Sequence, residues 1–144
     1  MSITRKAVVL FGAAAIFVCL AANAFAMKDS YNYMSPVSLQ KAIETKADVA
    51  IVDIQVADEF KSHHIKGAIE TCAYPVKSDV DTKKLDASLN SLKGSDQPIV
   101  VICPRGKGGA ERTVNYFAKQ GIAPYRLFIL TNGQDGWPYA VEKN

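Results

Sequence analysis

An α/β domain built on a mainly parallel central sheet is the fold class that the sequence predicts, on three observations. Short strand-like runs alternate with helical segments along most of the chain. One run, Ile99-Val100-Val101-Ile102, is apolar at every position, which suits a strand covered by helices on both faces. The composition is that of an ordinary globular chain, 49% hydrophobic and 22% charged with 9 Gly and 6 Pro, and excludes collagen-like and disordered classes.

Each element has its own reason. Ser35-Pro36 offers an N-cap followed by proline at the first helical position, and Leu39, Ala42 and Ile43 share a face, so a helix is expected to about Thr45. Residues 27–34, polar and aromatic, carry no element. Val49 to Asp53 is too short for a helix and rich in branched residues, hence a buried strand, and Val56 to Ser62 reads as a brief helix. Ile69 to Ala73 is a weaker strand. Leu85, Leu89 and Leu92 recur at helical spacing up to Gly94, and Pro98 opens the strand Ile99–Ile102. A Gly-rich turn leads to a helix with Ala110, Val114, Phe117 and Ala118 on one face, ended by Gly121, and Tyr125 to Leu130 is the last strand.

Residues 1–26 stand outside this alternation. Arg5 and Lys6 precede an apolar run from Ala7 to Ala22, and Ala24-Phe25-Ala26 is a small-x-small cleavage site, so the segment is expected to be a secretory signal peptide cleaved after Ala26. Retention of residues 7–26 as a membrane anchor is the alternative. Val18 before Cys19 lacks the small residue that lipoprotein processing needs, which leaves Cys19 as filler. Residues 27–144 then form one domain, exported to the periplasm or another extracytoplasmic space and free of the membrane. That domain has 15 basic and 14 acidic residues, so it offers no basic surface for nucleic acid. Its cysteines, Cys72 and Cys103, are too few for a disulfide scaffold but would allow one bridge.

The chemistry is expected at Cys103-Pro104-Arg105-Gly106-Lys107-Gly108-Gly109, between the carboxyl end of a buried strand and the start of a helix, where open α/β sheets bind ligands. Three glycines in four positions allow a concave arc of N–H groups, and a helix start adds more, which makes an anion cradle. These dipoles, with Arg105 and Lys107, would stabilise a Cys103 thiolate and make it a nucleophile. The alternative for Cys103 is a small buried residue at a strand end. Other motifs fail. A P-loop requires Ser or Thr where Gly108 stands, and the dinucleotide fingerprint requires glycine where Glu111 stands. A cysteine phosphatase requires arginine six residues after the nucleophile, the position of Gly109.

The same loop, together with Val52-Asp53, Glu59-Phe60, His64-Ile65-Lys66-Gly67-Ala68-Ile69, Asn132-Gly133 and Gly136-Trp137, resembles the rhodanese superfamily of single-domain sulfurtransferases. The resemblance runs over nearly all of residues 27–144. It implies a five-stranded, mainly parallel sheet flanked by helices on both faces, a six-residue loop beginning at the cysteine (Cys103 to Gly108), and sulfane-sulfur transfer through a cysteine persulfide. Small exported members are known. Cys103 would then be catalytic. Arg105, Gly106, Lys107, Gly108 and Gly109 would bind a small anionic donor such as thiosulfate or polysulfide. Cyanide, a thiol or a protein would accept the sulfur, with no metal and no cofactor. Three departures stand out: Pro104 removes an amide donor after the nucleophile, Gly108 replaces the Arg or Thr often found at the loop's end, and Gln55 stands where relatives usually carry an arginine.

Other residues admit two readings. Arg112 could reach a bound anion or pair with a surface acid. Trp137 could line the pocket or serve packing. Adjacent His63 and His64 lack metal-ligand spacing, so His64 reads as structural. A non-catalytic sulfur carrier or sensor, and a thiol redox protein with a Cys72–Cys103 disulfide, are the alternative functions.

Overall fold

The computed structural model describes residues 30–144, so the expected signal peptide lies outside the described residues. The elements are β1 (Asn32–Met34), α1 (Pro36–Glu44), β2 (Ala50–Asp53), α2 (Ala57–Ser62), β3 (Ile69–Glu70), α3 (Asp79–Lys83), α4 (Asp86–Lys93), β4 (Ile99–Ile102), α5 (Gly108–Lys119) and β5 (Leu127–Leu130). Five strands form one sheet in the order β1-β5-β4-β2-β3, and every neighbouring pair is parallel.

Strand alternation builds two cores. Val52, Ile54, Val101, Cys103 and Ile129 point to one face, where Leu85, Leu89 and Leu92 near α4 and Ala110, Val114 and Phe117 of α5 cover them. Ile51, Val100, Ile102 and Leu130 point to the other, under Leu39 of α1, Ile65 and Trp137. β4 is buried at all four positions, as its unbroken apolar run requires.

The ends follow local chemistry. Ser35 caps α1 by accepting the Ser38 N–H, with Pro36 in the first turn. A short helix absent from the sequence expectations, α3, is held by a capping box in which Ser78 and Asp81 satisfy each other's backbone N–H groups. The edge strand β3 stops at Glu70 instead of reaching Ala73. The Thr71 N–H and hydroxyl both bond to the Asp53 carbonyl, and Cys72 then turns the chain at φ 54°. Tyr125 belongs to a 3-10 turn, and the last strand starts at Leu127. β1 is a correction as well: residues 32–34 form a parallel edge strand beside β5.

The chain moves outward from β2 to β3 and then crosses back to β4 on the other side of β2. Their carboxyl ends therefore lie side by side at a topological switch point, Asp53 opposite Ile102, with Cys103 the next residue along.

Candidate active site

Cys103 is buried, and its Sγ accepts the Gly106 N–H at 3.1 Å. That bond closes the chain from 103 to 106 into an arc around the sulfur. Gly106 has φ +65°, and a Cβ there would come within 2.5 Å of the Leu130 carbonyl and 2.8 Å of the Gly133 N. Gly133 meets it from the other side at φ 60° and ψ −153°, and its own Cβ would overlap the Cys103 carbonyl oxygen. Gln134 and Asp135 donate their N–H groups to the Cys103 and Pro104 carbonyls at 2.9 Å each. The turn after β5 is thus fastened to the back of the cysteine loop.

On the other side Cys103 lines a cavity of about 190 Å³ with Tyr74, Lys77, Arg105, Lys107, Gly108, Gly109 and Arg112. Four of these are cations and none is an acid. Arg105, Lys107 and Lys77 are exposed at its rim. α5 begins at Gly108, and the preceding Lys107 provides no side-chain cap, so among the described residues the helix's first N–H groups have no capping side chain. A Cβ on Gly109 would lie 3.1 Å from the Tyr74 ring and 3.2 Å from Ile54, which keeps the helix start close to the sheet.

Of the residues expected at the site, Cys103, Arg105, Lys107, Gly108 and Gly109 line one cavity. Gly106 does not line it, because its N–H serves the sulfur itself. Tyr74 and Lys77 are additions that come from the segment between β3 and α3, distant in sequence and without motif character. Arg112 pairs with no acid among the described residues: it donates to the Pro75 and Val76 carbonyls and lines the cavity. Trp137 packs in the other core, away from Cys103. His64 stacks on Phe60 at 4.0 Å and bonds through Nδ1 to the Phe60 carbonyl, a packing role.

Both cysteines in the described residues are free thiols. Cys72 donates to the Glu70 carboxylate at 3.2 Å, and burial, with Glu70 beside it, pushes its thiol up from the ordinary range. The Gln55 side chain donates to Asp53 Oδ2 and to the His63 carbonyl. Gln55 brings hydrogen bonds to this carboxyl and no charge. Burial therefore pushes the Asp53 carboxyl up to about 6, against the lowering effect of its Gln55 hydrogen bonds and the nearby histidines.

The family model of the rhodanese-like domain matches residues 35–139, nearly the whole described chain. The chain belongs to the rhodanese-like domain family. Among curated relatives, YibN of Escherichia coli K12 is 28% identical over 92 residues, a stretch that is 64% of this chain and 57% of YibN. This rhodanese-like chain therefore spans little more than half the length of the curated relatives it matches. Among solved structures, a thiosulfate sulfurtransferase from Pseudomonas aeruginosa is similar at 20% identity and TM-score 0.59, over 78% of this chain and 20% of that one. A yeast protein tyrosine phosphatase of the rhodanese family is similar at 16% identity and TM-score 0.56, over 74% and 83%. At such identities the likeness is one of fold. Both chemistries occur on it, so the choice between them rests on the site.

Proposed function

We propose that this rhodanese-like protein is an exported sulfurtransferase that moves sulfane sulfur from a small anionic donor to a thiophilic acceptor through a persulfide on Cys103. The reading is carried by one arrangement: a cysteine with an N–H on its sulfur, opening on a cavity lined by cations, with Gly109 where a phosphatase needs its arginine. Export is supported by the basic, apolar and small-x-small pattern of residues 1–26.

The Cys103 thiolate attacks the outer sulfur of thiosulfate. The new S–S bond forms as the old one breaks, and sulfite leaves with the bonding pair. A cyanide ion or a thiolate then attacks the outer sulfur of the persulfide, thiocyanate or a new persulfide departs, and the Cys103 thiolate returns. This is a ping-pong cycle on one nucleophile. The Gly106 N–H already points at the sulfur that carries the negative charge, and the cations around the cavity offset the charge of the donor.

In a thiosulfate and cyanide assay, Cys103→Ser is expected to lose thiocyanate formation, and Cys72→Ser to keep it. Phosphate monoesters should not be hydrolysed. Turnover by Cys103→Ser, or dependence on Cys72, would overturn the reading.

A further inference from the structure

Resting on the sulfurtransferase reading, we propose that Arg112, outside the six-residue loop, is the specificity-determining residue that grips the oxyanion end of the sulfur donor. It stands in the place that a side chain at the loop's end would fill.

Arg112 lies one helical turn after Gly108 on α5. Its Nε donates to the Pro75 and Val76 carbonyls at 3.1 Å each, and its Nη2 donates to the Pro75 carbonyl at 2.7 Å. These bonds fix the plane of the guanidinium. Nη1 has no acceptor among the described residues. A Cβ built on Gly108 would lie 2.9 Å from Nη1, 3.6 Å from Cζ and 3.7 Å from Nη2, so the guanidinium occupies the room left by the missing side chain. The loop's glycine end is therefore not a missing cation. The charge is delivered from the helix.

Arg112 differs from the other three cations around the cavity. Lys77, Arg105 and Lys107 are exposed, and no ion pair or hydrogen bond holds their side chains among the described residues. They supply a general positive field. Arg112 is half-buried and already oriented, with the two N–H groups of Nη1 unused, so little ordering is needed when an oxyanion binds. The cavity of about 190 Å³ fits a small anion rather than a large ligand. A donor with a trigonal oxyanion end can present oxygens to Nη1 while its outer sulfur faces Cys103.

The test compares two donors with the same reacting sulfur, using the purified protein with cyanide as acceptor. Thiosulfate carries a charged sulfonate end, and methanethiosulfonate replaces one of its oxygens with methyl and leaves as methanesulfinate. For Arg112→Gln, thiosulfate kcat/KM is expected to fall about 10- to 100-fold, mainly through KM, the usual scale for one charge-assisted hydrogen bond. Methanethiosulfonate should lose much less, so the ratio of the two efficiencies drops about tenfold. Arg112→Lys should recover part of the ratio. Gly108→Ala keeps Arg112 but places a methyl against Nη1, and should lower the same ratio if the glutamine variant fails to fold. Equal losses for both donors, or an unchanged ratio in Gly108→Ala, would overturn the assignment and leave Arg112 as a brace for residues 75–76. A wild-type protein that takes sulfur from neither donor would instead overturn the sulfurtransferase reading.

Discussion

Asp53 is fully buried, and among the described residues its carboxylate has hydrogen bonds from Gln55 alone, two of them and without charge. With its carboxyl raised from about 3.8 to about 6, the folded state holds the proton more tightly than the unfolded state does. Stability is then greatest below the unfolded value, falls as pH rises from about 4 to about 6, and levels off above. The whole effect is about 3 kcal/mol. Asp53→Asn should remove this slope, so the difference in urea-unfolding free energy between wild type and variant should shift toward the variant across that window. A parallel pair of curves would refute it. The absence of an arginine at position 55 was legible in the sequence. Its consequence for Asp53 was not, because only the structure shows that no lysine or arginine among the described residues bonds to this carboxylate.

At the scale of elements, the site is a junction of four segments: the cysteine loop, the start of α5, the 71–78 segment, and the turn after β5. Gly133 joins the last to the first. Gly133→Ala places a methyl against the Cys103 carbonyl in a backbone region that only glycine occupies readily, a cost of about 1–3 kcal/mol from the backbone alone. Gly67 is a fair control, since it has φ +80° but open space around it. Gly133→Ala should lower both the urea midpoint and sulfur transfer by more than Gly67→Ala does, and equal effects would mean that the turn does not support the loop. The same scale shows what sequence could reveal. α1, β4 and α5 have caps, periodicity or unbroken apolar runs, and stand where the sequence puts them. β1 is three residues long with two of them exposed, and α3 has no buried residue, so neither leaves a hydrophobic pattern. Tyr74 and Lys77 were hidden for a different reason. A loop residue enters a site through the topology of strands far from it in sequence.

For the whole molecule, the parallel sheet sets the outcome. Its strand order puts the ends of β2 and β4 together, so the cysteine, the unpaired helix start and four cations converge at one place on the surface. Packing on the α5 face holds that place in position. Phe117 is fully buried there, and Phe117→Ala should cost about 3–5 kcal/mol in urea unfolding while also loosening the Gly108–Gly109 end of the helix. Fold class and the place of the cysteine loop were readable because both come from local signals, an apolar strand and a glycine-rich turn. The origin of the oriented cation was not, since Arg112 gains its meaning only from carbonyls at positions 75 and 76.

A persulfide on Cys103 is open to intact-mass spectrometry of the purified protein before and after thiosulfate or polysulfide. A gain of one sulfur atom that cyanide removes is expected in wild type and Cys72→Ser and not in Cys103→Ser. No gain, accompanied by a two-hydrogen deficit from a Cys72–Cys103 disulfide, would overturn the persulfide and with it the sulfurtransferase reading.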